Sequence, residues 1–100
     1  MVTDKDFNDL FLNNMNSNNI STKNMMGEYI IYYDSVVIGG LYDNQLLVKA
    51  TKSALNNLQG YSLVSPYPNA KEMILIPEFT KRINFTNLFE NIKNDLEKEN

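Results

Sequence analysis

The sequence predicts an α+β fold, a two-layer antiparallel sheet with helices in the order α-β-β-β-α-β-β-α. Residues 28–50 are rich in β-branched and aromatic side chains, which favour strands. Asp34-Ser35 and Asp43-Asn44 interrupt this stretch as two-residue hairpin loops, since Asp and Asn tolerate the positive φ that such loops need. Apolar residues recur at helical spacing near both ends of the chain. These observations indicate a meander of three strands flanked by helices.

The first element is expected to be a helix capped by Thr3. Phe7, Leu10 and Phe11 recur at helical spacing and give this helix one apolar stripe. Residues 13–22 are rich in asparagine and serine, so we expect them to end the helix and form a loop.

Three strands follow at Glu28–Tyr33, Val36–Tyr42 and 45–50. A two-residue loop fixes the register of its hairpin, so the cross-strand neighbours can be predicted. The predicted pairs in the first hairpin are Tyr33/Val36, Ile31/Ile38 and Tyr29/Gly40. The predicted pairs in the second hairpin are Tyr42/Gln45, Gly40/Leu47 and Ile38/Lys49.

This register divides the meander into two unlike faces. The first face mixes tyrosines with a lysine and aliphatic residues: Tyr29, Ile31, Tyr33, Ile38, Tyr42, Gln45, Leu47 and Lys49. The second face is almost entirely aliphatic: Glu28, Ile30, Tyr32, Val37, Leu41, Leu46, Val48 and Ala50. We expect the aliphatic face to pack under the helices. The tyrosine face is either the interface of a homodimer or a second core surface covered by the first helix.

Two features inside these strands have alternative interpretations. Gly39-Gly40 lies in mid-strand, where glycine is unfavourable, and either leaves room for a partner or ligand or marks a bulge or the space for the ring of Tyr29. The second interpretation is the favoured one. Lys49 lies among aliphatic residues and either binds an anion or a carboxylate such as Glu28, or extends along the sheet to water.

The second half of the chain alternates short elements. Thr51 is predicted to cap a short helix that Gly60 ends. Strands are predicted at 61–64 and Met73–Ile76, with a proline-rich loop between them. The last helix is expected to be capped near Asn84 and to present this apolar face: Phe85, Leu88, Phe89, Ile92 and Leu96.

The composition argues against several functions. The chain has no cysteine and no histidine, which removes the thiolate, the commonest general base and the commonest transition-metal ligands. The net charge is −3, and the one basic pair, Lys81-Arg82, is too small a footprint for nucleic acid. No apolar run is long enough to span a bilayer and no signal peptide is recognisable. We therefore expect a cytoplasmic, non-enzymatic domain with no cofactor, no metal, no membrane partner and no direct contact to nucleic acid.

Several correctly spaced blocks of the chain resemble the TfoX (Sxy) N-terminal domain family. The first is Lys23-Asn24-Met25-Met26-Gly27-Glu28-Tyr29. The others are Tyr32-Tyr33-Asp34-Ser35, Gly39-Gly40-Leu41-Tyr42-Asp43, Leu47-Val48-Lys49 and Pro66-Tyr67-Pro68-x-Ala70-Lys71-x-Met73. The resemblance covers about residues 4 to 97, within one domain of residues 1–100. Lys23 stands where the family usually has arginine, and Ser35 where it often has glycine.

The resemblance implies a stand-alone N-terminal domain of the secretion-chaperone-like kind. It implies a link to the regulation of natural competence, where TfoX acts with the cyclic-AMP receptor protein as a co-activator. The family offers no established catalytic residues to transfer.

We therefore interpret the chain as a protein-interaction module, expected to be homodimeric, whose partner is a candidate transcription regulator. The residues expected to mediate the interaction are Lys23, Met25, Gly27, Glu28, Tyr29 and Lys49. The alternative is a small-ligand-binding domain in which Lys49 and the tyrosines line a pocket. A third interpretation, an enzyme that uses Lys49, is disfavoured by the missing histidine and cysteine.

Overall fold

The computed structural model describes residues 2–79 and 83–98, and it confirms the α+β fold class. Its helices are α1 (Lys5–Met15), α2 (Lys52–Asn57) and α3 (Phe85–Lys98). Its strands are β1 (Ile20–Met25), β2 (Glu28–Tyr33), β3 (Val36–Tyr42), β4 (Gln45–Lys49), β5 (Leu63–Val64) and β6 (Met73–Ile76). The basic pair Lys81-Arg82 lies outside the described residues. No helix within the described ranges combines the length and apolar character that crossing a membrane requires.

The six strands form one antiparallel sheet in the order β1-β2-β3-β4-β6-β5. All three helices contribute to a single buried cluster on one side of this sheet, which we call the inner face. Phe11 of α1, Ala54 of α2 and Phe89 of α3 are fully buried there. The opposite side, the outer face, carries no helix in the part of the chain that the structure describes. The domain therefore has two layers, the sheet and the helices on its inner face.

The sheet has one strand more than the sequence predicted. Residues 13–22 were expected to form a loop, but β1 begins at Ile20 and pairs with β2 along its whole length. Its sequence, ISTKNM, is mostly polar, which is typical of an edge strand. A lysine near the middle of such a strand discourages pairing with another chain. The alternation of apolar residues that identifies a strand is consequently missing from it.

The predicted register holds for two of the three pairs in the second hairpin and for one of the three in the first. The pairing of β3 with β4 stops at Gly39/Val48, so the predicted pair Ile38/Lys49 is wrong. Tyr42/Gln45 and Gly40/Leu47 pair as predicted, and so does Tyr33/Val36. The predicted pairs Ile31/Ile38 and Tyr29/Gly40 are wrong, since Ile31 pairs with Gly39 and Tyr29 with Leu41. The cause is a bulge between Ile31 and Tyr32 against β3, which inserts one residue into the pairing. The unpaired residue of the bulge is Ile38, next to Gly39, whereas Gly39 and Gly40 are both paired with their neighbouring strands. A bulge is therefore present beside the glycine pair and not at it.

The bulge also corrects the predicted faces of β2. Because side chains alternate along a strand, one inserted residue exchanges the two faces on its far side. Tyr29, Ile31 and Tyr33, placed on the tyrosine face by the sequence, therefore pack with the helices on the inner face. Ile30 and Tyr32 of β2 belong to the outer face instead. On β4 the prediction holds, with Leu46 and Val48 inside and Leu47 and Lys49 outside.

The helix caps are predicted well in the second half of the chain and less well at its start. The Thr51 hydroxyl accepts a hydrogen bond from Ala54 N–H at 3.4 Å, and the Asn84 side chain accepts one from Asn87 N–H at 3.0 Å. The predicted Thr3 cap is wrong, because the N-cap position of α1 is Asp4 and the Thr3 side chain bonds to the sheet instead.

The apolar stripe of α1 is narrower than predicted. Phe11 is buried and Phe7 packs against the core, but Leu10 is 51% exposed. Both phenylalanines contact Phe79, with ring centroids 5.6 and 5.7 Å apart. This aromatic cluster joins α1 to the segment that follows β6 and fixes the helix over the inner face.

Candidate functional site

The outer face contains an open groove of about 860 Å³. It is lined by the end of β1, the start of β2, the Asp43-Asn44 turn and the loop after β5. Most of the lining side chains are apolar: Met25, Met26, Ile30, Tyr42, Pro66, Tyr67 and Pro68. Glu28, Asp43 and Ser65 supply the polar groups. An apolar groove with a few polar groups is the usual form of a binding site.

One rim of the groove is the turn between β1 and β2. Met25 is 46% exposed at the end of β1, and Met26 is 95% exposed in the turn itself. Met26 and Gly27 both have positive φ, at 55° and 88°, the backbone of a tight two-residue hairpin turn. A side chain at Gly27 would collide with Val2, whose Cγ1 would lie 2.8 Å from the added Cβ. Gly27 thus serves the turn and the approach of the N-terminal segment.

A hydrogen-bond network holds the acidic end of the groove in place. The Thr3 hydroxyl is buried and lies 2.8 Å from Oε1 of Glu28, and it accepts a hydrogen bond from Asn44 N–H at 3.1 Å. The same Glu28 oxygen accepts a hydrogen bond from Asp43 N–H at 3.1 Å. The Thr3 backbone N–H also donates to Gly27 O at 2.9 Å. The N-terminal segment therefore ties the two turns at this end of the sheet together.

The floor of the groove is formed by Ile30 and Tyr42. Burial raises the pKa of the Tyr42 hydroxyl, and the neighbouring Tyr67 and Glu28 raise it further. The Tyr42 side chain is consequently a neutral hydrogen-bonding group at physiological pH. It gives an apolar floor one polar atom, which suits recognition of a specific partner.

The opposite wall is the loop from Ser65 to Ala70. The Ser65 hydroxyl donates to Ala70 O at 3.1 Å, and Ala70 N–H donates to Tyr67 O at 3.1 Å. Pro66 and Pro68, one on each side of Tyr67, restrict the backbone further. The wall is thus held in shape by its own contacts, and Tyr67 stays 61% exposed.

Of the residues that the sequence singled out, Met25 and Glu28 line the groove and Gly27 shapes its rim. Lys23 lies nearby and is exposed on the same face, opposite Ile30 of β2. The signature block thus comes together at one end of the outer face, except for its last residue, Tyr29.

Tyr29 and Lys49 lie apart from this group. Tyr29 packs against the core on the inner face, as a consequence of the bulge. Lys49 is half-buried on the outer face at the far end of β4, opposite Met73, and does not line the groove. Glu28, suggested as a partner for Lys49, bonds instead to Thr3 and Asp43. The predicted set of tyrosines and lysine is therefore divided between two faces.

Sequence reasoning missed part of the groove. Met26 belongs to the signature block but is not among the predicted interaction residues. The hairpin turn that exposes Met26 could not be predicted, because β1 is a polar edge strand without an apolar pattern. From the sequence, Tyr42 is one of the tyrosines of the alternative ligand pocket, and Asp43 is interpreted only as a turn residue. The wall of Pro66 and Tyr67 comes from a distant part of the chain, and the one signal in its favour was an aromatic residue between prolines.

Comparison with known proteins gives one partial match. A stretch of 48 residues is 40% identical to a protein of Spirochaeta aurantia described as an uncharacterized 12.7 kDa protein in the trpE 5′ region. The match spans 48% of this chain and 42% of that protein, so the chain covers less than half of its relative. No protein-family model matches the chain. No solved structure matches it either.

Proposed function

We propose that this domain is a non-catalytic protein-interaction module that binds its partner through the groove on the outer face. The observation that carries the proposal is the exposure of three large apolar side chains around one groove, with Met25, Met26 and Tyr67 exposed by 46%, 95% and 61%. Exposed apolar patches of this kind mark binding surfaces. Methionine adapts to varied partners, and tyrosine is enriched where proteins meet.

The resemblance to TfoX N-terminal domains supports a partner among the transcription regulators. In this proposal the domain works in the cytoplasm as a regulator or co-activator, with competence as the candidate pathway. A homodimer would use the outer face too, because Tyr29, Ile31 and Tyr33 of the predicted dimer interface pack with the helices.

Binding of a small ligand is the second candidate, and one observation favours it. The groove volume lies within the range of roughly 300–1,000 Å³ that small-molecule sites occupy. Tyr42 and Tyr67 would contact such a ligand, but Lys49 would not. This is a narrower form of the alternative that the sequence suggested.

The deciding experiment is native mass spectrometry of the protein purified gently from its own host, followed by titration of any partner found. Met25→Ser tests the groove, and Leu55→Ser is its control, because Leu55 is 43% exposed but lies on α2. We expect a protein complex that Met25→Ser weakens about tenfold, as a central interface side chain does, and that Leu55→Ser leaves intact.

Three other outcomes have defined meanings. A homodimer weakened by Met25→Ser makes a second copy the partner. A monomer that carries a defined small molecule overturns the proposal in favour of ligand binding. A complex that neither variant weakens places the interface elsewhere and contradicts the assignment to the groove.

A further inference from the structure

We propose that the groove binds an extended peptide segment in which a lysine or arginine lies beside apolar residues. The cation would lie at the end formed by Glu28 and Asp43, and the apolar side chains over Met25, Ile30 and Tyr42. This inference rests on the proposed function and specifies the chemistry of the partner.

The charge of the groove is the first argument. Its described lining residues include two acidic side chains, Glu28 and Asp43, and no lysine or arginine. The nearby cation, Lys23, is exposed outside the lining, opposite Ile30. The whole chain carries a net charge of −3, so its surface adds to the local field. Complementary charge accelerates association and excludes partners of the wrong sign. An acidic segment would meet charges of its own sign at this end of the groove.

The position of the acidic groups is the second argument. Oε1 of Glu28 is held by the Thr3 hydroxyl at 2.8 Å and by Asp43 N–H at 3.1 Å. The Asp43 backbone is fixed in a tight turn with φ of 53°. Side chains that are already oriented cost less to order when a partner binds. The Glu28 carboxylate is therefore oriented before any cation arrives, and the Asp43 side chain starts from a fixed backbone position.

The backbone of Met26 is the third argument. A positive φ of 55° is unfavourable for a residue with a long side chain, whereas Asn or Gly adopts it readily. Met26 is also 95% exposed, so its side chain gains little from packing within the domain. Strain without a compensating contact is a feature of functional sites. We infer that the Met26 side chain is positioned for a partner.

The proline-rich wall is the fourth argument. Pro66, Tyr67 and Pro68 form a wall whose backbone has little freedom to lose, and Tyr67 adds an exposed ring. Aromatic-lined grooves are a known form of binding site for extended peptides. An open groove with one rigid wall is better suited to an extended segment than to a helix.

The test is a selection of random twelve-residue peptides displayed on phage against the immobilised full chain, with synthetic copies of the selected peptides titrated afterwards. We expect the selected sequences to place lysine or arginine next to aliphatic or aromatic residues. We also expect binding to weaken as salt rises, because an exposed ion pair is screened.

Two variants, each with a matched control, test whether such peptides bind in the groove, and all four are expected to keep the fold. Asp43→Asn removes one charge at a turn position that asparagine also adopts, and should weaken binding about fivefold. Asp6→Asn changes the net charge equally on α1 and should have no effect. Met26→Asn suits the turn but removes the anchor, and should weaken binding about tenfold. Ser35→Gly changes a turn at the opposite end of the sheet and should not weaken it.

The inference is overturned if the selected peptides lack cations, if no peptide is selected, or if Asp43→Asn binds as tightly as the wild type. Its failure is distinct from failure of the proposed function. A host complex that Met25→Ser weakens but Asp43→Asn does not would keep the interaction module and remove only the cationic partner. A host preparation with no protein partner and a bound metabolite would remove both.

Discussion

The ring of Tyr42 lies directly over Gly40, two residues earlier on the same strand. A Cβ at Gly40 would lie 2.5 Å from Cε2 of Tyr42 and 3.0 Å from Tyr29 O. The absence of a side chain at Gly40 is therefore what lets the ring form the floor of the groove. An aromatic ring that covers a strand glycine also offsets the packing that the glycine lacks.

The two neighbouring glycines should differ in their tolerance of alanine. Gly39→Ala would place its Cβ 2.3 Å from Leu47 O, a backbone atom of the adjacent strand. We expect Gly39→Ala to lower the free energy of unfolding by about 2–3 kcal/mol and Gly40→Ala by about 1 kcal/mol, because a ring can move where a strand cannot. Urea denaturation measures both. Equal losses of stability in the two variants would contradict this account of the contacts at Gly39 and Gly40.

Met26→Asn should stabilise the domain although it impairs the groove. Asparagine followed by glycine is the preferred sequence for this turn, so relief of the left-handed strain should add about 1 kcal/mol. For a domain of this size the melting temperature should rise by about 4–8 °C. Ser35→Gly, at a turn with φ of 68°, should also raise it. Thermal unfolding followed by circular dichroism decides, and a lower melting temperature for Met26→Asn would show that its side chain supports the fold.

Local signals predicted most of the meander, and one inserted residue defeated the rest. Turn chemistry at Asp34-Ser35 and Asp43-Asn44 placed three strands correctly, because hairpin loops depend on the residues within them. The bulge near Ile31 cannot be located from those loops, and it exchanged the faces of β2. The groove is lined by residues between Met25 and Pro68, and Tyr42 and Tyr67 are 25 positions apart, so only the tertiary structure brings these two rings together.

The Thr3 hydroxyl should contribute measurably to stability, since it joins the N-terminal segment to both turns beside the groove. Thr3→Val keeps the shape of the side chain but leaves Asn44 N–H and the Glu28 carboxylate each short of a partner. We expect a loss of about 1–3 kcal/mol in the free energy of unfolding. Thr86→Val, an exposed position on α3, is the control and should stay within about 0.5 kcal/mol of the wild type. A loss no larger than that of the control would show that the network is dispensable.

Asp95 should make stability depend on pH through the junction of α2 and α3. Its carboxylate accepts hydrogen bonds from Ser53 N–H at 2.8 Å and from the Ser53 hydroxyl at 2.9 Å, near the start of α2. The Ser53 backbone N–H is the main cause that lowers the pKa of Asp95 below its ordinary value of 3.8. A carboxyl group whose pKa is lowered by folding stabilises the folded state above the unfolded pKa, and this stabilisation is lost as pH falls through the folded pKa.

Asp95→Asn should therefore lower the free energy of unfolding by about 1 kcal/mol at pH 7, since the charged cap of α2 is lost. The difference in stability from the wild type should shrink as the pH is lowered below 3.8, because the wild-type Asp95 carboxyl group then becomes protonated and, like asparagine, neutral. Glu97→Gln removes the same charge from an exposed position of α3 and serves as the control. Urea denaturation of the three proteins between pH 7 and pH 2 measures the effect. A gap between Asp95→Asn and wild type that stays constant over this range would show that the hydrogen bonds to Ser53 do not depend on the charge of Asp95.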